Sequence, residues 1–172
     1  MFKILFVCTG NTCRSVMAEW IFNQKIRERS LENQFKADSA GVAAMPGSPA
    51  SKHSITVIEK LGGDLSDHKS QKATVELVSG YDLVLTMTED QKHLLEKNLA
   101  LAQDKGNHPP VHLLKTYVKQ KDPNSTQTDQ PNDKTINDPI GGTQEEYQDV
   151  FDELSAWIDR LIDSLVENVE KK

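Results

Sequence analysis

Lys3-Ile4-Leu5-Phe6-Val7-Cys8-Thr9-Gly10-Asn11-Thr12-Cys13-Arg14-Ser15 is the stretch that decides how the rest of the chain is read. Lys3 to Val7 is short, mostly apolar and β-favouring, the pattern of a buried strand. Met17-Ala18-Glu19-Trp20-Ile21-Phe22 then opens a helical run. Between them lies a tight loop from Cys8 to Ser15. A loop that leaves a strand and enters a helix turns successive backbone N–H groups into one concavity, and the helix N-terminus adds positive potential. That concavity suits an oxyanion such as phosphate.

The side chains carry the same message. Cys8 ends the strand, where the N–H groups and the Arg14 cation favour a thiolate nucleophile. Arg14 offers a planar fork for two phosphate oxygens. Thr9, Gly10, Asn11, Thr12, Cys13 and Ser15 form the remaining wall of the loop. Gly10 allows a backbone shape closed to other residues, and Asn11 tolerates a left-handed one. Ser15 can cap the helix and donate to the Cys8 sulfur. Cys-x5-Arg-Ser is a weak pattern alone; after a strand and before a helix, with glycine and asparagine inside, it is strong. The competing reading is an ordinary strand-to-helix turn with a buried cysteine.

At 172 residues the chain fits one domain, 1–172, with room for a full core. No apolar stretch is long enough to span a membrane, and Met1-Phe2-Lys3 runs straight into a strand, so no signal peptide is expected. A formal charge of −6 argues against non-specific nucleic-acid binding. The two cysteines, Cys8 and Cys13, both lie in the loop. They make no disulfide framework, and functional thiols in a cytoplasmic protein fit better. His53, His68, His93, His108 and His112 show no zinc spacing, so no metal or other cofactor is expected. His68 falls near the pocket, with a surface position the simpler reading.

Along the chain, helices and strands alternate. A helix is expected over Val16 to Arg29, with Met17, Trp20 and Ile21 on one face. Trp20 either lines the mouth of the site or packs on the sheet, the second being the simpler. Phe35 to Ser39 reads as a strand, Ser39-Ala40-Gly41 as a turn leaving it, and Ala50 to Leu61 as a helix stopped by Gly62-Gly63. Asp64 to Gln71 is polar and loop-like, and Lys72 to Val78 can form a short helix. Asp82 to Met87 is a strand buried on both faces, Thr88 to Leu101 a helix, and Val111 to Leu114 an edge strand. Lys119 to Asn137, rich in Asp, Asn, Gln, Thr and Pro, reads as a mobile loop. The last helix spans Gln144 to Glu170 behind the capping box Thr143-x-x-Glu146, with Val150, Leu154, Trp157, Leu161 and Leu165 as its core stripe. This order predicts a doubly wound parallel α/β sheet, whose ligands bind beyond the carboxyl ends of strands, where Cys8 falls.

Phe6-Val-Cys-Thr-Gly-Asn-Thr-Cys-Arg-Ser15 with Met17-Ala18-Glu19 resembles the low-molecular-weight protein tyrosine phosphatase family, most closely its bacterial protein arginine phosphatase branch. Ser39-Ala40-Gly41, Asp82-Leu83-Val84-Leu85 and Asp138-Pro139 follow in the family's order, so the resemblance covers nearly the whole chain apart from the polar loop. It implies a flavodoxin-like sheet of four parallel strands with helices on both faces. It also implies phosphorylated proteins as substrates and a phosphocysteine intermediate. Cys8 would attack phosphorus. Arg14 and the loop N–H groups would hold the phosphoryl oxygens, and Asp138 would serve as acid and then base. Asn11, supported by Ser39, would keep the loop in shape. Judged alone, Asp138 also reads as a solvated carboxylate in an Asp-Pro turn, but its position before the last helix favours the catalytic reading. The oligomeric state stays open, with a monomer the working expectation.

Substrate choice rests on fewer residues. Thr12 stands where tyrosine-directed relatives usually carry an apolar residue and where the arginine-directed branch has threonine. Ile140-Gly141-Gly142 lacks the aromatics that commonly follow Asp-Pro in tyrosine-directed relatives and wall a ring-binding slot. Arginine-directed relatives tend to have an aromatic at position 140, and the family usually has proline at position 16, where this chain has Val16. Phosphoarginine hydrolysis is the leading expectation and phosphotyrosine hydrolysis the alternative. Arsenate reduction lacks a third cysteine, and a pure phosphoprotein-binding module would need a lost nucleophile or acid. Cys13 either traps oxidised Cys8 as a disulfide or simply packs in the core.

Overall fold

The computed structural model describes residues 1–101, 108–121 and 133–170. Four strands form one parallel sheet: β1 (Phe2–Cys8), β2 (Phe35–Gly41), β3 (Leu83–Thr86) and β4 (Val111–Leu113), in the order β2-β1-β3-β4. All three pairings are parallel, and β1 sits between β2 and β3. Six helices complete the described chain: α1 (Arg14–Glu28), α2 (Lys52–Glu59), α3 (Val75–Val78), α4 (Glu89–Leu101), α5 (Leu114–Lys121) and α6 (Gln144–Glu170). This is the flavodoxin-like α/β arrangement that the alternating pattern predicts.

Burial explains why β1 reads as an unbroken apolar run. Ile4 to Val7 are wholly buried because helices cover both faces of the sheet. Ile4, Phe6 and Cys8 face the core under α1, α2, α5 and α6; Leu5 and Val7 face α3 and α4, beside Val84, Leu95 and Leu99. On α6 the predicted stripe is wider than five residues, adding Tyr147, Phe151, Ile158 and Ile162. Its capping box forms: the Thr143 N–H donates to Glu146 Oε2 at 2.6 Å, and the Glu146 N–H to Thr143 Oγ1 at 3.3 Å. Ser51 caps α2 and Gly62, at φ 75°, turns the chain out of it.

Several local expectations are corrected. Ser39-Ala40-Gly41 is not a turn: β2 continues to Gly41, held on its outer side by Gln71 and Ala73 backbone bonds. Lys72 lies in a bridge to Gly41, so the short helix begins only at Val75. Lys119 to Lys121 belong to α5, a helix the sequence reading lacked; its buried apolar residues, Leu114 and Val118, are too few to show a period. Residues 122–132 of the expected loop lie outside the described residues, while 133–137 run into the site. Among the described residues no helix is long and apolar enough to cross a membrane, and no His/Cys/Asp/Glu group is disposed to hold a metal ion.

Candidate active site

Cys8 ends β1 with its side chain buried at the mouth of the loop. Its Sγ lies 3.3 Å from the Asn11 backbone N–H, which donates to it, and 3.0 Å from Ser15 Oγ. Asn11 takes the left-handed conformation at φ 55° and is fully buried. Gly10 does not: its φ is ordinary, and a Cβ there would meet only Thr12 Oγ1 at 3.6 Å. The left-handed step of the turn is made by Asn11. Ser15 is also not the helix cap. The helix begins at Arg14, Cys13 occupies the N-cap position without a side-chain cap bond, and Ser15 points at sulfur.

The amide of Asn11 can be oriented from its partners. Its Oδ1 accepts the Gln71 backbone N–H at 2.9 Å, which leaves Nδ2 to donate to Ser15 Oγ at 3.0 Å and Ser39 Oγ at 2.8 Å. Ser39 then donates to Glu19 Oε2 at 2.6 Å. Ser15 receives a hydrogen from Asn11, so its own hydrogen is available to the Cys8 sulfur. The result is a directed chain of donors ending on the Cys8 sulfur. Burial raises the Glu19 carboxyl above its ordinary value of 4.5, against the opposing effect of the Ser39 hydrogen bond.

Arg14, buried on the first turn of α1, donates from Nη1 to the Ile136 carbonyl at 3.0 Å and from Nη2 to Asp138 Oδ2 at 2.5 Å. Its Nε is buried with no acceptor among the described residues. A buried guanidinium N–H without a partner is costly, and an oxyanion seated in the loop would satisfy it. Asp138 is more than one-third exposed, and the Ile140 N–H donates to its Oδ1 at 3.2 Å. The arrangement joins a cysteine sulfur with a hydroxyl 3.0 Å away, a buried guanidinium and a partly exposed carboxyl, the kinds of group that phosphoryl transfer to sulfur uses.

Residues that sequence reading missed hold the loop from outside. The His68 Nε2–H donates to the Asn11 carbonyl at 2.8 Å, so His68 is a half-buried loop partner, not the surface residue expected. Gln91 Nε2 donates to Thr9 Oγ1 at 3.0 Å, while its Oε1 accepts the Met87 and Thr88 N–H groups. Gly41 is required by contact: a Cβ there would fall 2.5 Å from the Thr9 carbonyl oxygen and 2.9 Å from the Asn11 nitrogen. The Ser51 N–H donates to the Thr12 carbonyl at 2.8 Å. Their sequence signals are single polar residues far from the loop, with no spacing to mark them.

Cys13 is buried among apolar residues, with Tyr147 Oη at 3.2 Å and Thr12 Oγ1 at 3.6 Å from its sulfur; both cysteines are free thiols. Burial first, then the Cys13 contact, pushes the Tyr147 hydroxyl up to about 12. Trp20 packs on the core and against Phe151, ring centroids 6.4 Å apart. It borders two surface cavities of about 300 and 210 Å³, neither lined by any residue from Cys8 to Ser15.

Comparisons with known proteins agree with this geometry. The family model for low molecular weight phosphotyrosine protein phosphatase matches residues 3–171. The chain is 36% identical over 162 residues to a protein-arginine-phosphatase of Bacillus subtilis, covering 94% of this chain and 95% of that one. It is 32% identical over 161 residues to the low molecular weight protein-tyrosine-phosphatase PtpB of Staphylococcus aureus, covering 94% and 97%. Among solved structures, the YwlE arginine phosphatase, a cysteine-to-serine mutant with a phosphorylated active-site serine, superposes with a TM-score of 0.80. That match has 31% identity and covers 99% of this chain and all of the other. The chain belongs to the low-molecular-weight phosphotyrosine protein phosphatase family.

Proposed function

We propose that this cysteine-based protein phosphatase acts on phosphoarginine in proteins, with Cys8 as nucleophile, Arg14 as phosphate clamp and Asp138 as acid and base. The observation that carries the substrate reading is Thr12, which places a hydroxyl within the phosphate loop; in addition, Asp138-Pro139 is followed by the exposed aliphatic Ile140 and not by an aromatic residue. A polar partner near the leaving atom suits a guanidino nitrogen; a ring slot would suit a phenol. The relatives named protein-arginine-phosphatase support it, at 35% and 36% identity over about 95% of the chain.

In this reading the Cys8 thiolate attacks phosphorus and forms an S–P bond as the P–N bond breaks. Asp138 delivers its proton to the departing guanidino nitrogen. The Arg14 guanidinium and the loop N–H groups hold the three remaining phosphoryl oxygens. Asp138, now a carboxylate, takes a proton from water as water attacks the phosphocysteine. Inorganic phosphate leaves, and the thiolate returns to its bonds from Ser15 and the Asn11 N–H. Pro139 stiffens the backbone beside the acid, which lowers the ordering cost of each turnover.

The test is a paired assay on peptides carrying phosphoarginine or phosphotyrosine, with Cys8→Ser as the blank. A large preference for phosphoarginine is expected in wild type, reduced or reversed in Thr12→Ile. Faster release of phosphate from the phosphotyrosine peptide would overturn the arginine assignment and leave a tyrosine phosphatase with the same machinery.

A further inference from the structure

We propose that Lys115, a buried lysine outside the phosphate loop, is a positioning residue that sets the pose of Asp138; this rests on reading Asp138 as the proton donor. Lys115 lies on the first turn of α5 with its side chain only 1% exposed. Its Nζ donates to both carboxylate oxygens of Asp133, at 2.8 and 2.9 Å, and pairs with Glu153 on α6. The Trp157 ring lies beneath it, 5.8 Å from Nζ to the centroid. A lysine is almost never buried without partners, and stripping one from a buried ammonium is strongly unfavourable. Asp133 is therefore tied to the body of the protein.

Asp133 begins the short segment that carries the acid. From there the chain is pinned again at Ile136, which is wholly buried; its N–H donates to the Met87 carbonyl at 2.9 Å and its carbonyl accepts Arg14 Nη1. Asp138 follows two residues later with its carboxylate on Arg14 Nη2. At roughly 3.3–3.6 Å per extended residue, fixing Asp133 and Ile136 leaves the Asp138 backbone little freedom. Lys119 Nζ adds a bond to the Asp133 carbonyl at 3.4 Å. The clamp fastens the near side of the acid segment to α5 and α6.

The experiment compares kcat/KM for two small aryl phosphates, phenyl phosphate, whose leaving group needs a proton, and 4-nitrophenyl phosphate, whose leaving group scarcely does. The variants are Asp138→Asn, Asp133→Asn, Lys115→Met and Glu153→Gln in the full chain, each with a thermal melt. Asp138→Asn is expected to depress phenyl phosphate about 100-fold more than the nitrophenyl ester, the scale of general-acid catalysis. Asp133→Asn, a half-exposed site that should fold, is expected to separate the two substrates in the same direction by about 10-fold, as a misplaced catalytic group does. Lys115→Met should follow it, and Glu153→Gln should change the melting temperature while separating the substrates less than twofold, a roughly twofold bound on mere structural effect. If Asp133→Asn and Lys115→Met scale both substrates equally while Asp138→Asn separates them, Lys115 is structural and the proposal fails. If Asp138→Asn does not separate them, the acid assignment fails and this proposal with it.

Discussion

Ser15 Oγ and Cys8 Sγ stand 3.0 Å apart, and the direction of the bond between them is set by the backbone N–H of Gln71. That N–H holds Asn11 Oδ1, which turns Nδ2 toward Ser15 and leaves the serine hydrogen for sulfur. A hydrogen bond to a charged group contributes about 1.5–3 kcal/mol, so Ser15→Ala should lower kcat by roughly 10- to 100-fold. Thiolate departure from phosphocysteine is the step that suffers. Rapid-quench measurement of the phosphoenzyme should show it accumulating in the variant; an unchanged turnover number would remove Ser15 from the mechanism.

Gly41 is fixed by crowding, not by backbone conformation. Its missing Cβ makes room for the Thr9 carbonyl and the Asn11 nitrogen, both parts of the loop backbone that cannot swing aside. Gly41→Ala should cost about 1–3 kcal/mol of stability, the usual scale of overpacking. Catalysis should fall further than stability, because the displaced atoms hold the nucleophile's surroundings. Denaturant unfolding and kcat/KM on the same preparation check both halves; a variant with native stability and native activity would show the crowding to be relieved elsewhere.

Glu19 gives a pH signature. Its carboxyl is raised in the folded protein, chiefly by burial. The native state then binds a proton more readily than the unfolded chain, so the contribution of this group to stability is fully present below the ordinary value of 4.5 and is lost as pH rises through the raised one. Glu19→Gln keeps an acceptor for the Ser39 hydroxyl and removes the ionisation. The variant should gain ground on wild type between pH 4 and pH 7, read as the difference in melting temperature. A difference that stays constant across that range would mean that folding does not raise the Glu19 carboxyl.

The parts legible in the sequence are those written in consecutive residues. The apolar run from Ile4 to Val7, the turn residues after it and the helical run beyond announce a buried parallel strand and a tight strand-to-helix loop, and the structure has both. The capping box at Thr143 and Glu146 marked α6 for the same reason: its two halves lie three residues apart. Asp138 entered only through family resemblance, since an Asp-Pro pair has many ordinary uses. Gly41, His68, Gln71 and Gln91 were not legible as loop supports, because each acts on the loop from elsewhere in the chain and leaves no periodic trace. Gly10 shows the opposite case. Glycine in a tight loop suggests unusual dihedral angles, yet the adjacent Asn11 took them.

The strand order carries a consequence for synthesis. β1 emerges first but is flanked by β2 and β3, so it gains its second neighbour only after residue 86 has been made. The arginine of the loop waits longer still, since Ile136 and Asp138 belong to the last third of the chain. A nascent polypeptide therefore carries its reactive sulfur for most of translation before the groups that harness it exist. Folding dominated by such distant pairings is slow and late, and a ribosome-bound fragment truncated before residue 136 should be catalytically silent.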